Sequence, residues 1–281
     1  MKNRGRPCGT IAAMPVISSL IYYPIKACRG HEVDASNVER SGLEHDRRMM
    51  VATPEGSFLT QREHSKLALV TPSISGEKLT LSALGTNDLT IDIRKTGPTR
   101  SVGIWRSKGV QAVDQGEEVA AWFTDWLETS VHLVHIADGY IRKVNKKYAV
   151  NTDDHTAFAD GYPILMASEE SLLDLNARLE WPVPMNRFRP NLVVKDCEPF
   201  AEDTWSRVRT GDIEMAVVKP CARCVVTTID KETLEKSKEP LKTLASYRTR
   251  NGGAMFGQNV IPLNEGRLNL GMSVEILSKR E

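Results

Sequence analysis

The chain has almost no net charge: 37 lysines and arginines face 36 aspartates and glutamates, leaving +1 over 281 residues. Overall charge therefore recruits neither nucleic acid nor an anionic membrane, and no partner of either kind is expected. Long apolar runs are missing as well. The most apolar early stretch, Met14 to Ile25, is broken by Ser18, Ser19 and Pro24, whereas a membrane-spanning helix needs roughly 20 apolar residues. Residues 1–13 carry Lys2, Arg4 and Arg6 with no apolar stretch behind them, so they read as a loose leader and not as a secretory signal. Cysteine is sparse. Cys8, Cys28, Cys197, Cys221 and Cys224 are an odd number at irregular spacing, which is poor material for a disulfide scaffold and fits a reducing cytoplasm with thiols free for chemistry.

The 41% apolar content is enough to bury a sizeable core, and the length favours two domains over one. The first half reads as β-rich, with short strands expected at Val16–Tyr23, Arg48–Thr53, Lys78–Ser82, Leu89–Arg94 and Gly109–Val113, punctuated by Gly, Pro, Asn and Asp. Thr53-Pro54-Glu55-Gly56 has the composition of a tight turn. Between Glu117 and Thr129 the period changes. Val119, Trp122, Phe123, Trp126 and Leu127 share one face of a helix, and tryptophans at that spacing are expected in the core.

After a possible strand at Val131–Ile136, the polar segment Asp138–Asp154 carries Arg142, Lys143, Lys146 and Lys147. It reads as a domain boundary or exposed loop with a solvated charge run. A second helix is signalled at Ser168–Leu179 by a capping serine, two glutamates in the first turn, and Leu172, Leu175 and Leu179 on one face. Strands are expected again at Asn191–Lys195, Ile213–Val218, Val225–Ile229 and Ser273–Leu277.

Chemistry concentrates in Lys219-Pro220-Cys221-Ala222-Arg223-Cys224. A C-x-x-C pair admits half a zinc site, a redox dithiol, or one ligand thiolate with a neighbour. Zinc lacks its other ligands, because the nearest further cysteine is Cys197 and the last histidine is His155. A redox dithiol should open a helix, whereas the β-branched run Val225–Ile229 predicts a strand. A single thiolate beside Lys219 and Arg223, binding a soft or redox-active metal, fits better. Upstream, Asn186-Arg187-Phe188-Arg189-Pro190-Asn191 offers arginine forks to an anion, with ordinary surface ion pairs as an equal alternative. Ala159-Asp160-Gly161-Tyr162-Pro163 predicts a tight turn whose backbone a ligand can approach closely.

Taken in order, Tyr23-Pro24-Ile25-Lys26, Asp46-Arg47, Asp160-Gly161-Tyr162-Pro163, Arg187-Phe188-Arg189-Pro190-Asn191, the Cys221–Cys224 run with Thr227-Thr228, Glu239-Pro240-Leu241 and Phe256-Gly257-Gln258-Asn259 resemble the MOSC family. Within it, the resemblance is to the branch with an added N-terminal β-barrel, which includes the mitochondrial amidoxime-reducing component and bacterial hydroxylaminopurine-reducing proteins. It implies a mixed α/β, β-rich fold: an N-terminal β-barrel-like domain over 14–137 and a MOSC β-barrel domain with flanking helices over 138–281.

The resemblance further implies a molybdenum cofactor (molybdopterin) with Cys224 as the metal ligand and catalytic centre. Lys26, Arg47, Arg189, Asn191 and Arg223 would contact the pterin and its phosphate. The Asp160-Gly161-Tyr162 turn and Ala222 would give backbone contacts, and Asn259 completes the set. Ala27 and Ala222 stand where some relatives have serine, and Asn259 where the animal proteins have tyrosine. The implied reaction is reduction of a small-molecule N-hydroxylated substrate. Electrons are expected from a separate donor protein of flavin reductase, ferredoxin or cytochrome type, because no cysteine follows Cys224. The alternative is a sulfur or molybdenum-cofactor carrier that uses a cysteine persulfide.

Overall fold

The computed structural model describes residues 14–280, so the expected leader and Cys8 lie outside the described residues. The fold is β-rich. Its largest sheet has nine strands and runs, neighbour to neighbour, through His31–Val33, Val16–Tyr22, Leu192–Lys195, Ile164–Ser168, Gly253–Pro262, Ile213–Ala222, Trp205–Thr210 and Glu275–Lys279, with Thr249–Arg250 hydrogen-bonded to Gly253–Pro262. Ile164–Ser168 runs parallel to Leu192–Lys195, and the other pairings along this path are antiparallel.

A four-stranded sheet joins Met49–Ala52, His132–Ile136, Ser107–Asp114 and Thr99–Ile104. A meander of Thr71–Ser75, Lys78–Ser82 and Leu89–Asp92 lies beside it. Alternation of apolar residues along these strands builds two main cores. Leu20, Ile164, Met166, Leu192, Met215, Val217 and Val260 fill one, and Ile25, Met49, Val51, Leu79, Leu81, Phe123 and Leu133 fill the other. Each such side chain contributes about 1.5–3 kcal/mol when fully buried.

Helix α1 (Glu117–Leu127) turns Val119, Phe123 and Leu127 into the second core, with Trp122 and Trp126 packed on its margin. Their indole N–H groups donate to Asn87 O at 2.9 Å and Lys66 O at 3.3 Å, so these tryptophans are structural. Helix α2 (Glu169–Asn176) is capped by Ser168, whose Oγ accepts from Ser171 N at 3.1 Å. Gly56 closes the expected tight turn by donating to Thr53 O at 2.9 Å, at a φ of 83° that suits glycine.

The two halves interpenetrate. Val16–Tyr22 pairs with Leu192–Lys195, and Ala35–Glu39 pairs with Gly266–Asn269, so the earliest strands are built into the sheets of the second half. This crossing brings Tyr23 to Lys26 against the segment that contains Arg189 and Asn191.

The expected strand at Val225–Ile229 is instead a single 3₁₀ turn, Val225–Thr228, with Cys224 at its N-cap. Thr227 Oγ1 donates to Cys224 O at 3.0 Å and Thr228 Oγ1 to Val225 O at 2.8 Å. Those side-chain bonds, a known competitor of β structure at threonine, outweigh the β-branched preference. The strand that does exist, Ile213–Ala222, runs further than expected and takes Pro220 and Cys221 with it.

Candidate functional site

One cleft collects residues from both halves. Lys26, Ala27, Arg47, Gln61, Arg62 and Trp105 line it from the first half; Asp160, Gly161, Tyr162, Arg189, Asn191, Cys221, Arg223, Cys224 and Asn259 line it from the second. Every sequence-predicted site residue except Ala222 is therefore in its wall. Ala222 ends the Ile213–Ala222 strand and is exposed outside the lining.

Lys26 is 8% exposed and donates to Phe158 O at 3.1 Å and to the Asp160 carboxylate. Burial lowers the Lys26 ammonium from its ordinary range, and Asp160 acts against that loss. Burial pushes the Asp160 carboxyl up, but Lys26, the Trp105 indole N–H and Arg47 outweigh it and hold the group well below the usual carboxylate range. The backbone at Gly161 is open: a side chain there would meet no protein atom within 4 Å.

Arg47 and Arg189 form the next layer. Arg47 Nη1 donates to Asp46 at 2.7 Å and to Asn191 Oδ1 at 3.0 Å, and its Nη2 donates to Arg189 O at 3.2 Å. Asn191 Nδ2 donates to Ile21 O at 3.0 Å and to Asp46 at 2.9 Å, while Oδ1 also accepts from Leu165 N at 3.2 Å. All four positions of that amide are occupied by protein. Arg189 Nη1 donates to Cys28 O at 2.7 Å, but Nη2 is buried with no partner among the described residues. Both guanidinium groups lie over the Tyr23 ring, at 4.4 Å for Arg47 and 4.1 Å for Arg189.

Arg223 Nη1 donates to Cys221 Sγ at 2.9 Å and Nη2 to Phe188 O at 2.6 Å, leaving Nε buried and unpartnered among the described residues. The arginine between the two cysteines thus engages Cys221 rather than Cys224. Lys219 is directed over the Tyr148 ring, 5.1 Å from its centroid, and is outside the lining. Cys224 stands two residues past the strand end, on the turn described above and not on a strand edge. The secondary-structure reason against dithiol chemistry falls with the expected strand; the separate engagement of Cys221 is what distinguishes the two cysteines. Cys28 and Cys197 lie outside the lining, and burial pushes each thiol up to about 12.

The MOSC N-terminal beta barrel domain matches residues 14–130 and the MOSC domain matches residues 153–275. Mitochondrial amidoxime-reducing component 1 of Homo sapiens is 36% identical over 281 aligned residues, which cover 94% of this chain and 83% of that protein. The chain belongs to the MOSC family. Mitochondrial amidoxime reducing component 2 of Rattus norvegicus is 37% identical, covering 83% of this MOSC protein and 72% of its own length. The component 1 of Danio rerio is 33% identical, covering 92% and 84%.

Several residues of this MOSC site escaped the sequence reading. Arg187, read with Arg189 as a possible anion fork, points behind Cys224: its Nε donates to Thr227 O at 2.8 Å and its Nη1 to Asp230 at 3.0 Å. Lys231 joins it from another side, donating to Val226 O at 2.9 Å and to Gln61 Oε1 at 2.8 Å. Two buried basic side chains therefore hold the Cys224 turn by its carbonyls. Arg142, expected in a solvated run, is 7% exposed and donates to Ala157 O at 2.6 Å and to Ala159 O, fixing the turn that presents Asp160. Nothing in the local sequence marks these three as buried. Trp105 and Arg62 carried no signal either. Among the described residues, no helix is long and apolar enough to cross a membrane.

Proposed function

We propose that this MOSC protein reduces N-hydroxylated small molecules with a molybdenum cofactor held in the cleft by Cys224. The observation that carries the reading is the gathering of Cys221, Cys224 and the basic residues Lys26, Arg47, Arg189 and Arg223 from both halves around a single opening, with Cys221 engaged by Arg223. Relatives named amidoxime-reducing components supply the reaction class.

The residues present fit such a group. Buried guanidinium N–H groups of Arg189 and Arg223 without protein partners match a phosphate or heteroatom-rich pterin, and the open backbone at Gly161 leaves room for close approach. Cys224 is the soft ligand such a metal takes. When bound, the cofactor supplies the two-electron redox chemistry that cleaves the N–O bond.

The chain's own residues prepare that step. Arg189 and Arg223 bind the anionic part, while Asn191, saturated by protein, acts through Arg47. Tyr162 and Asp160 border the opening, and Asn259 is fixed by donating to Lys219 O at 3.1 Å, beside the cysteine run. Arg187 and Lys231 orient the Cys224 turn. The net reaction converts N–OH, two electrons and two protons into N–H and water, with electrons from a separate flavin, ferredoxin or cytochrome-type protein.

We divide the chain into 14–137 and 138–281 as two sequence units sharing one site. Cys221 and Cys224 require a reducing compartment, the cytoplasm in this reading; the names of the relatives make the mitochondrion the other location to test. The test of function is molybdenum analysis of purified protein joined to an assay of benzamidoxime or 6-hydroxylaminopurine reduction with an artificial electron donor. Stoichiometric metal with turnover is expected. Protein that binds the cofactor but turns over neither compound, or turns over without molybdenum, would overturn the reading.

A further inference from the structure

The strands Thr99–Ile104 and Ser107–Asp114 are joined by a two-residue loop, Trp105-Arg106. Trp105 has a φ of 52°, in the left-handed region. Such hairpin positions favour glycine, asparagine or aspartate, and a bulky aromatic there is a conformational outlier. Outliers of this kind persist only where surrounding structure holds them, and they concentrate at ligand sites.

What holds this one is in the cleft. Trp105 Nε1 donates to Asp160 Oδ1 at 2.9 Å, across the two halves, and Phe58 meets the indole edge-on at 4.8 Å between centroids. The Arg62 guanidinium lies over the same indole at 4.8 Å. Trp105 is nevertheless 39% exposed, and both it and Arg62 line the cleft that contains Cys224. An apolar ring kept in solvent on a strained backbone is poorly explained by packing, because the core gains little from it.

We propose that Trp105, with Arg62 against it, is the specificity-determining wall on which a planar, conjugated N-hydroxylated substrate stacks. The inference rests on the reductase reading and deepens it by naming the substrate shape. A flat amidoxime or heteroaromatic N-hydroxy compound offers a π face to the indole and to the guanidinium plane. Hydroxylamine offers none. The Asp160 bond fixes the indole's orientation, so Trp105 positions substrate and leaves the redox step to the centre at Cys224.

The experiment compares benzamidoxime with hydroxylamine as substrates of the molybdenum-loaded protein, using a small-molecule electron donor. In Trp105→Ala the ratio of kcat/KM for benzamidoxime to that for hydroxylamine should fall about tenfold, through a raised KM for benzamidoxime. Trp105→Phe, which keeps a ring but loses the N–H, should hold the ratio within about threefold. Equal proportional losses for both substrates in Trp105→Ala would show that Trp105 only braces Asp160, and would overturn the proposal. So would a Trp105→Phe ratio as low as that of the alanine variant. Should Trp105→Ala fail to fold, the Trp105→Phe ratio together with that of Arg62→Ala, expected to be lowered several-fold, decides on the same terms. A wild-type protein that binds molybdenum and reduces neither compound would overturn the reductase reading and this proposal with it; a wild type that reduces both, with variants of unchanged ratio, would overturn the proposal alone.

Discussion

Arg189 lies over the face of Tyr23, its guanidinium carbon 4.1 Å from the ring centroid. The two residues are far apart in sequence, and Tyr23 is 3% exposed with its hydroxyl donating to Pro190 O at 3.1 Å. Arg47 approaches the same ring. Two like charges are thus held close by one electron-rich face and by Asp46, which accepts from Arg47. This arrangement keeps two cationic groups assembled in the wall of the cleft.

Tyr23→Phe should lose one buried hydrogen bond, worth about 1 kcal/mol, and retain the platform. The melting temperature should fall by about 2–4 °C with cofactor content unchanged. Tyr23→Leu should lower cofactor content as well. Full cofactor content in the leucine variant, measured by metal analysis, would show that the ring does not organise the arginines.

Arg189→Ala should weaken cofactor retention more than folding, because a lost charge-assisted contact costs about 1.5–3 kcal/mol. That corresponds to roughly a ten- to hundredfold weaker hold. Cofactor stoichiometry after dialysis, set against the melting temperature of cofactor-free protein, checks it. A sharp drop in melting temperature with stoichiometry unchanged would contradict the assignment.

Lys231 gives a pH signature. Burial, reinforced by Arg189 and Arg187, lowers its ammonium from its ordinary range to about 7. Between about 7 and the ordinary lysine value the unfolded chain binds a proton that the folded chain has released, so stability rises with pH across that window. Below about 7 the cost of the buried charge is complete. Urea unfolding of wild type should gain up to about 2 kcal/mol between pH 7 and pH 9, and Lys231→Met should lose most of that gain. An identical gain in both proteins would place Lys231 in contact with solvent.

Much of the fold was legible because it rests on local rules. The Lys78–Ser82 strand alternates, the α1 face repeats at helical spacing, and Ser168 caps α2; the structure has all three. Both cysteines of Cys-x-x-Cys and the Asp-Gly-Tyr turn are brought to one cleft with Arg189, whereas Arg187 of the same Arg-x-Arg run lies behind it. The Cys224 turn was misread because its conformation depends on threonine hydroxyls turning back on the chain and on Arg187 and Lys231 arriving from elsewhere. Arg142 was misread for the same reason, since its carbonyl partners at Ala157 and Ala159 become available only when the chain folds back. Trp105 had no sequence signature at all, because its placement contradicts the usual residues of a two-residue hairpin loop.

The most direct test is molybdenum content in two serine variants of the purified protein. Cys224→Ser should lose both the metal and N-hydroxy reduction, whereas Cys221→Ser, altering the sulfur that Arg223 engages, should keep much of both. Equal loss from the two substitutions would contradict a single-thiolate site and indicate two-cysteine chemistry, and full metal retention in Cys224→Ser would remove Cys224 from the centre altogether.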